Sequence, residues 1–108
     1  MATRAGIADF IVAQLAGAGE VSARKMFGEY GVYCDGKMIA LICDDQLFLK
    51  PTEAGRACYP DAEEGQPYPG ARNWLLVPED LWDDSAWLCE LVRVTAREVP
   101  LPKKKKKA

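Results

Sequence analysis

The chain has 108 residues, 49% of them apolar and 28% charged, which suits one globular domain burying roughly two-thirds of its unfolded surface. No apolar run approaches the ~20 residues that span a bilayer, and Asp9 and Gln14 interrupt the segment a signal peptide would need unbroken. The expectation is a cytoplasmic protein with no membrane association. Histidine is absent, which removes the commonest general acid–base and the Ser-His and Cys-His nucleophile pairs.

The four cysteines, Cys34, Cys43, Cys58 and Cys89, are separated by 9, 15 and 31 positions with no C-x₂-C pair. Structural zinc sites show close ligand pairs, so neither metal nor cofactor is expected, and the thiols read as reduced small hydrophobes. Net charge is −2, yet five of the 14 cations are Lys103, Lys104, Lys105, Lys106 and Lys107. Residues 1–102 hold the other nine and all 16 acidic groups, a net −7. An acidic body is the reverse of a basic nucleic-acid-binding face. The chain divides into a folded domain over 1–102 and a tail over 103–108, disordered when free because adjacent like charges repel.

Ile7, Phe10, Ile11 and Leu15 recur at helical spacing, which predicts a helix over 4–17 with Thr3 as N-cap and Gly17-Ala18-Gly19 as its stop. Residues 20–27 read as a loop or a single helical turn leading to Met26-Phe27 as core anchors. Three strands follow over 29–34, 37–43 and 46–50. The Asp35-Gly36 pair supplies the positive φ angles of a type I′ turn between the first two, and the second turn falls near Asp44-Asp45-Gln46. Gly28 and Gly31 within the strand pattern point to a bulge or a close approach.

The strand KMIALIC is apolar at successive positions, so simple alternation fails and a central strand covered on both faces is predicted. Its second cover is a C-terminal segment or another subunit, and an exposed apolar face would favour a homodimer. Pro51 stops the meander. Thr52 caps a short helix over 53–59, with Glu53 at its positive end. Residues 59–70, with three prolines and two glycines, read as an irregular loop, and 72–77 return as a strand. Pro78-Glu79-Asp80-Leu81 opens toward a last helix from about residue 84. Its stripe is Leu81, Ser85, Leu88, Val92, Thr95 and Val99, widened by Trp82 and Cys89. The fold class is α+β: two layers in the order helix, three-stranded antiparallel meander, helix, one or two strands, helix.

Arg24-Lys25-Met26-Phe27-Gly28-Glu29-Tyr30-Gly31, then Asp35-Gly36, Ala40-Leu41-Ile42, Asp44-Asp45 and Leu47-Phe48-Leu49-Lys50-Pro51, resemble the N-terminal domain of the TfoX/Sxy family of bacterial competence regulators. Val77-Pro78-Glu79-Asp80-Leu81 is similar to the family as well, whereas 59–73 departs from it. The resemblance implies the element order above and a regulatory role without catalysis. Full-length members promote expression of DNA-uptake genes alongside a cyclic-AMP receptor protein and carry a second helical domain. This chain stops after the first, so a stand-alone regulatory or protein-interaction module is expected. The family-motif positions Arg24, Lys25, Gly28, Tyr30, Gly31, Asp35, Gly36 and Lys50 are its candidate partner-binding residues. The alternative is a small nucleic-acid-binding protein, similar in outline to the YjbR-like domains, using the lysine tail with Arg24 and Lys25; a steep salt dependence would mark it. An enzyme with Cys34 or Cys43 as nucleophile lacks a base partner for either thiol.

Overall fold

A computed structural model describes residues 4–26 and 28–100. Six strands form one antiparallel sheet in the order β1-β2-β3-β4-β6-β5. They are β1 (Val21–Met26), β2 (Glu29–Cys34), β3 (Lys37–Cys43), β4 (Gln46–Leu49), β5 (Glu63–Gly65) and β6 (Trp74–Val77). Helices α1 (Ala5–Gln14), α2 (Glu53–Cys58) and α3 (Ser85–Glu98) pack on one face, and 3-10 turns occupy Ala16–Ala18 and Glu79–Leu81. The α+β class and the central meander stand as read from the sequence.

Both meander turns follow from residue chemistry. Asp35 and Gly36 have φ of 53° and 84°, and Asp44 and Asp45 have 53° and 61°, the doubly positive pattern that matches strand twist. Thr52 Oγ1 accepts the Gly55 N–H at 2.9 Å and starts α2. Asp84 accepts the Trp87 N–H at 3.1 Å and starts α3.

Several expectations change. Residues 21–26 form no loop or helical turn: Val21 pairs with Cys34 and the ladder continues to Met26 opposite Glu29. The 59–70 segment contains β5, a three-residue edge strand against β6. Thr3, the expected cap, and Phe27, the expected anchor, lie outside the described residues, as does the lysine tail. Helix α1 starts instead with Arg4 at its N-cap position, without a side-chain cap. Asp45 reaches over from the β3–β4 turn, accepting the Arg4 N–H at 3.0 Å and its Nε at 3.2 Å. A carboxylate there also suits the positive end of the helix. Ala8 and Ile11 on α1 and Leu15 at its C-cap are buried, while Phe10 is 40% exposed.

The failed alternation in β3 has a local cause. Val32 pairs with Ala40 but Tyr33 pairs with Met38, which leaves Ile39 as a bulge. Ile39 and Ala40 therefore both enter the helix-side core with Ile42, whereas Leu41 and Cys43 join Phe48 on the opposite face.

Gly55 brings α2 against α3: a Cβ there would lie 3.0 Å from both Thr52 Oγ1 and Thr95 Oγ1. Thr95 is fully buried and its hydroxyl has no partner among the described residues. Thr95→Val keeps the shape and removes the stranded dipole. It should stabilise the domain by about 1 kcal/mol in urea denaturation; a destabilised variant would mean that the hydroxyl has a partner in solution.

Candidate functional site

Among the described residues, one face of the sheet carries no helix, is apolar and is only partly covered. Leu41, Cys43 and Phe48 are buried there, and Met26, Met38, Trp74 and Leu76 surround them half-buried. The segment 66–71 folds back on itself, with Gln66 Nε2 donating to the Ala71 carbonyl at 2.8 Å and the Ala71 N–H to the Tyr68 carbonyl at 3.1 Å. It forms one wall of a cleft of about 640 Å³. Met26, Met38, Leu41, Cys43 and Trp74 line this cleft together with Tyr68 and its two flanking prolines. Buried Pro67 anchors the wall, and Tyr68 is 56% exposed. Gly31 keeps the sheet surface low between the methionines, since a Cβ would lie 3.0 Å from the Met26 methyl and 3.5 Å from that of Met38.

One acidic group reaches this cleft: Glu29, whose Oε1 accepts the Asp44 N–H at 3.0 Å. Burial, followed by the carboxylates of Glu29 and Asp44, pushes the Cys43 thiol up to about 11. Burial also raises Cys34, with Asp35 adding to it and Lys37 opposing. A thiol held protonated is a poor nucleophile. None of the four cysteines is paired, and no cluster of three metal-ligating side chains occurs among the described residues. In those residues no helix is long and apolar enough to cross a membrane.

The Cys43 shift makes two measurable predictions. Iodoacetamide at neutral pH should label Cys43 in the folded protein about a hundredfold more slowly than in urea, read by peptide mass mapping. The folded thiol also keeps its proton where the unfolded one, at 9.0, gives it up. Its contribution to stability is therefore full below pH 9 and is lost as pH rises toward 11. A flat stability profile across that interval would contradict the burial.

The eight motif positions do not converge. Arg24 and Lys25 are exposed on edge strand β1, and the Arg24 guanidinium lies 5.3 Å from the centre of the Tyr33 ring. Gly28, at φ 82°, turns β1 into β2, and half-buried Tyr30 packs against the helix-side core. Asp35 and Gly36 occupy the other end of β2, about 16 Å away along the strand. Asp35 has a structural task there: its Oδ1 accepts the Glu20 N–H at 2.9 Å, and its own N–H donates to the Glu20 carbonyl at 2.8 Å. Lys50 follows β4, its N–H donating to the Ile39 carbonyl at 2.8 Å. Of the eight, Tyr30 touches the cleft and Gly31 lies beneath Met26 and Met38; most of the lining, including Met26, Met38, Tyr68 and Trp74, is outside those eight positions. The one visible signal for it was a β3 strand apolar on both sides.

The fold is thus a two-layer α+β domain with helices on one face and, among the described residues, an apolar cleft on the other. Residues 13–99 match the TfoX N-terminal domain, and the chain belongs to that family. It is 42% identical over 106 residues to an uncharacterized 12.7 kDa protein in the trpE 5′ region of Spirochaeta aurantia, covering 98% of this chain and 91% of that relative.

Proposed function

We propose that this domain is a non-catalytic regulatory module that acts by binding another protein through the cleft on its helix-free face. The observation that carries the reading is the apolar cleft lined by Met26, Met38, Leu41, Cys43 and Trp74, on the sheet face that no helix covers among the described residues. Concave apolar clefts are where partner and ligand side chains ordinarily dock. Met26 and Met38 can repack around different side chains, and aromatic groups such as Trp74 and Tyr68 favour interface cores. Raised thiols speak against cysteine catalysis, and unpaired cysteines suit a reducing, cytoplasmic setting. Membership of a family of regulators supports the same conclusion.

A photo-crosslinking side chain at Met38 or Tyr68 should capture a defined partner, or a second copy of the chain, in cells. The same group at exposed Asp83 on α3's approach should not. Identical products from both positions would sink the proposal. Nucleic acid is tested separately by titrating DNA at two salt concentrations with the whole chain and a version ending at Pro102. Binding confined to the whole chain and abolished by salt would mark the lysine tail as an electrostatic tether. Equal binding by the shorter version would assign nucleic-acid recognition to the folded body and overturn the reading.

A further inference from the structure

At the end of the sheet away from Glu29, the Asp35-Gly36 turn, the start of β3 and the last turns of α3 enclose a shallow cavity of about 260 Å³. Among the described residues, three cations line it, Lys37, Arg93 and Arg97, against one carboxylate, Asp35. In a body where acids outnumber bases 16 to nine, that excess runs against composition. Asp35 is already engaged by the Glu20 N–H at 2.9 Å.

Cations near a helix C-terminus ordinarily serve its free carbonyls, and this accounts for Lys37, whose Nζ donates to the Ala96 carbonyl at 2.9 Å. It does not account for the two arginines. Among the described residues Arg93 meets a single carboxylate, Glu90, through Nη2 at 3.7 Å. Its Nε is shielded from solvent and has no acceptor among the described residues. The Arg97 side chain has no hydrogen-bond or ion-pair partner among them either. A guanidinium fork is shaped for a tetrahedral oxyanion.

We propose that this cavity binds a small oxyanion of the phosphate class, with the Arg93 and Arg97 guanidinium groups as donors and Lys37 supplying further charge. Its volume lies below the roughly 300–1,000 Å³ of sites for larger organic ligands, which favours a compact ion or a phosphomonoester head over a nucleotide. The site is separate from the cleft and does not depend on what the cleft binds.

The test is an NMR titration of the full chain with inorganic phosphate, and in parallel with glycerol 3-phosphate, at constant ionic strength maintained by chloride. The Arg93 Nε–H resonance should move and saturate. Arg97→Gln should weaken binding by about tenfold, and so should Arg93→Lys, which keeps the charge but lacks the guanidinium fork. Met38→Glu, in the cleft, should bind phosphate as the natural chain does. Tighter binding of glycerol 3-phosphate assigns the site to a phosphorylated small molecule, and tighter binding of phosphate assigns it to the free ion. A shift that chloride reproduces, one that never saturates, or unchanged affinity in both arginine variants would overturn the proposal. The natural chain's own titration decides the matter should a variant fail to fold.

Discussion

Replacing Trp82 by alanine is expected to cost about 3–5 kcal/mol of folding free energy, the range for removing a large buried aromatic. Trp82 is 2% exposed although it sits in the short connection between the Glu79–Leu81 turn and α3. Its indole N–H donates to the Val77 carbonyl at 3.0 Å, which ties the connection back to the end of β6. Its own carbonyl accepts Gln14 Nε2 at 2.6 Å, and its ring centre lies 6.5 Å from that of Phe10. One residue thus joins α1, β6 and the entry to α3. Domains of this size are stable by only about 5–15 kcal/mol, so the loss would be a large share of the total. Urea denaturation should show a lower midpoint with unchanged slope. Trp82→Phe keeps most of the packing but loses the donor, and should fall well short of the alanine effect, at about 1–2 kcal/mol. An alanine variant within 1 kcal/mol of the natural chain would show, on the scale of measured cavity costs, that the surroundings collapse into the vacated space.

Gly19→Ala should be the second most damaging substitution, costing about 2–4 kcal/mol through backbone strain and displaced neighbours together. Gly19 has φ 150° and ψ −157°, a region essentially confined to glycine. A Cβ would also lie 2.9 Å from Asp35 Oδ2 and 3.1 Å from Cys34 Sγ. The displaced carboxylate is the one that accepts the Glu20 N–H, so the substitution attacks the junction of the Ala16–Ala18 turn, β1 and the β2–β3 turn at once. Asp35→Ala separates the two contributions: it removes the carboxylate but leaves Gly19 unstrained, and should cost only about 1–2 kcal/mol. If both variants lose the same amount, the strain at Gly19 has been overestimated.

Local chemistry carried much of the fold in readable form. The Asp35-Gly36 turn, the Thr52 cap and the Leu88, Val92, Thr95 and Val99 stripe each depend on residues within a few positions of one another. Backbone preference alone can therefore express them. Strand β1 is different. Val21-Ser22-Ala23-Arg24-Lys25-Met26 has weak strand character, and it is extended because β2 offers it an unbroken ladder. The same holds for β5, whose Glu63-Glu64-Gly65 is made a strand by its neighbour β6. Phe10 illustrates a milder discrepancy: helical spacing places it beside the buried stripe, but the angle at which α1 meets the sheet buries Ala8 instead.

The sequence by itself determined the α+β class, the meander with its turns, the flanking helices and the motif linking the chain to its family. The Asp-Gly turn, the polar cap and the helical spacing act over distances shorter than one element. Tertiary structure alone decided the bulge at Ile39, the two edge strands and the separation of Tyr30 from Asp35 at opposite ends of β2. It also assembled the cleft, where Met26, Met38, Tyr68 and Trp74 come from separate stretches of chain. Likewise, it brought Lys37 beside Arg93 and Arg97. Those juxtapositions depend on register and on which face each strand turns toward the helices. A shift of one residue reverses every such choice, and only the packed sheet selects among them.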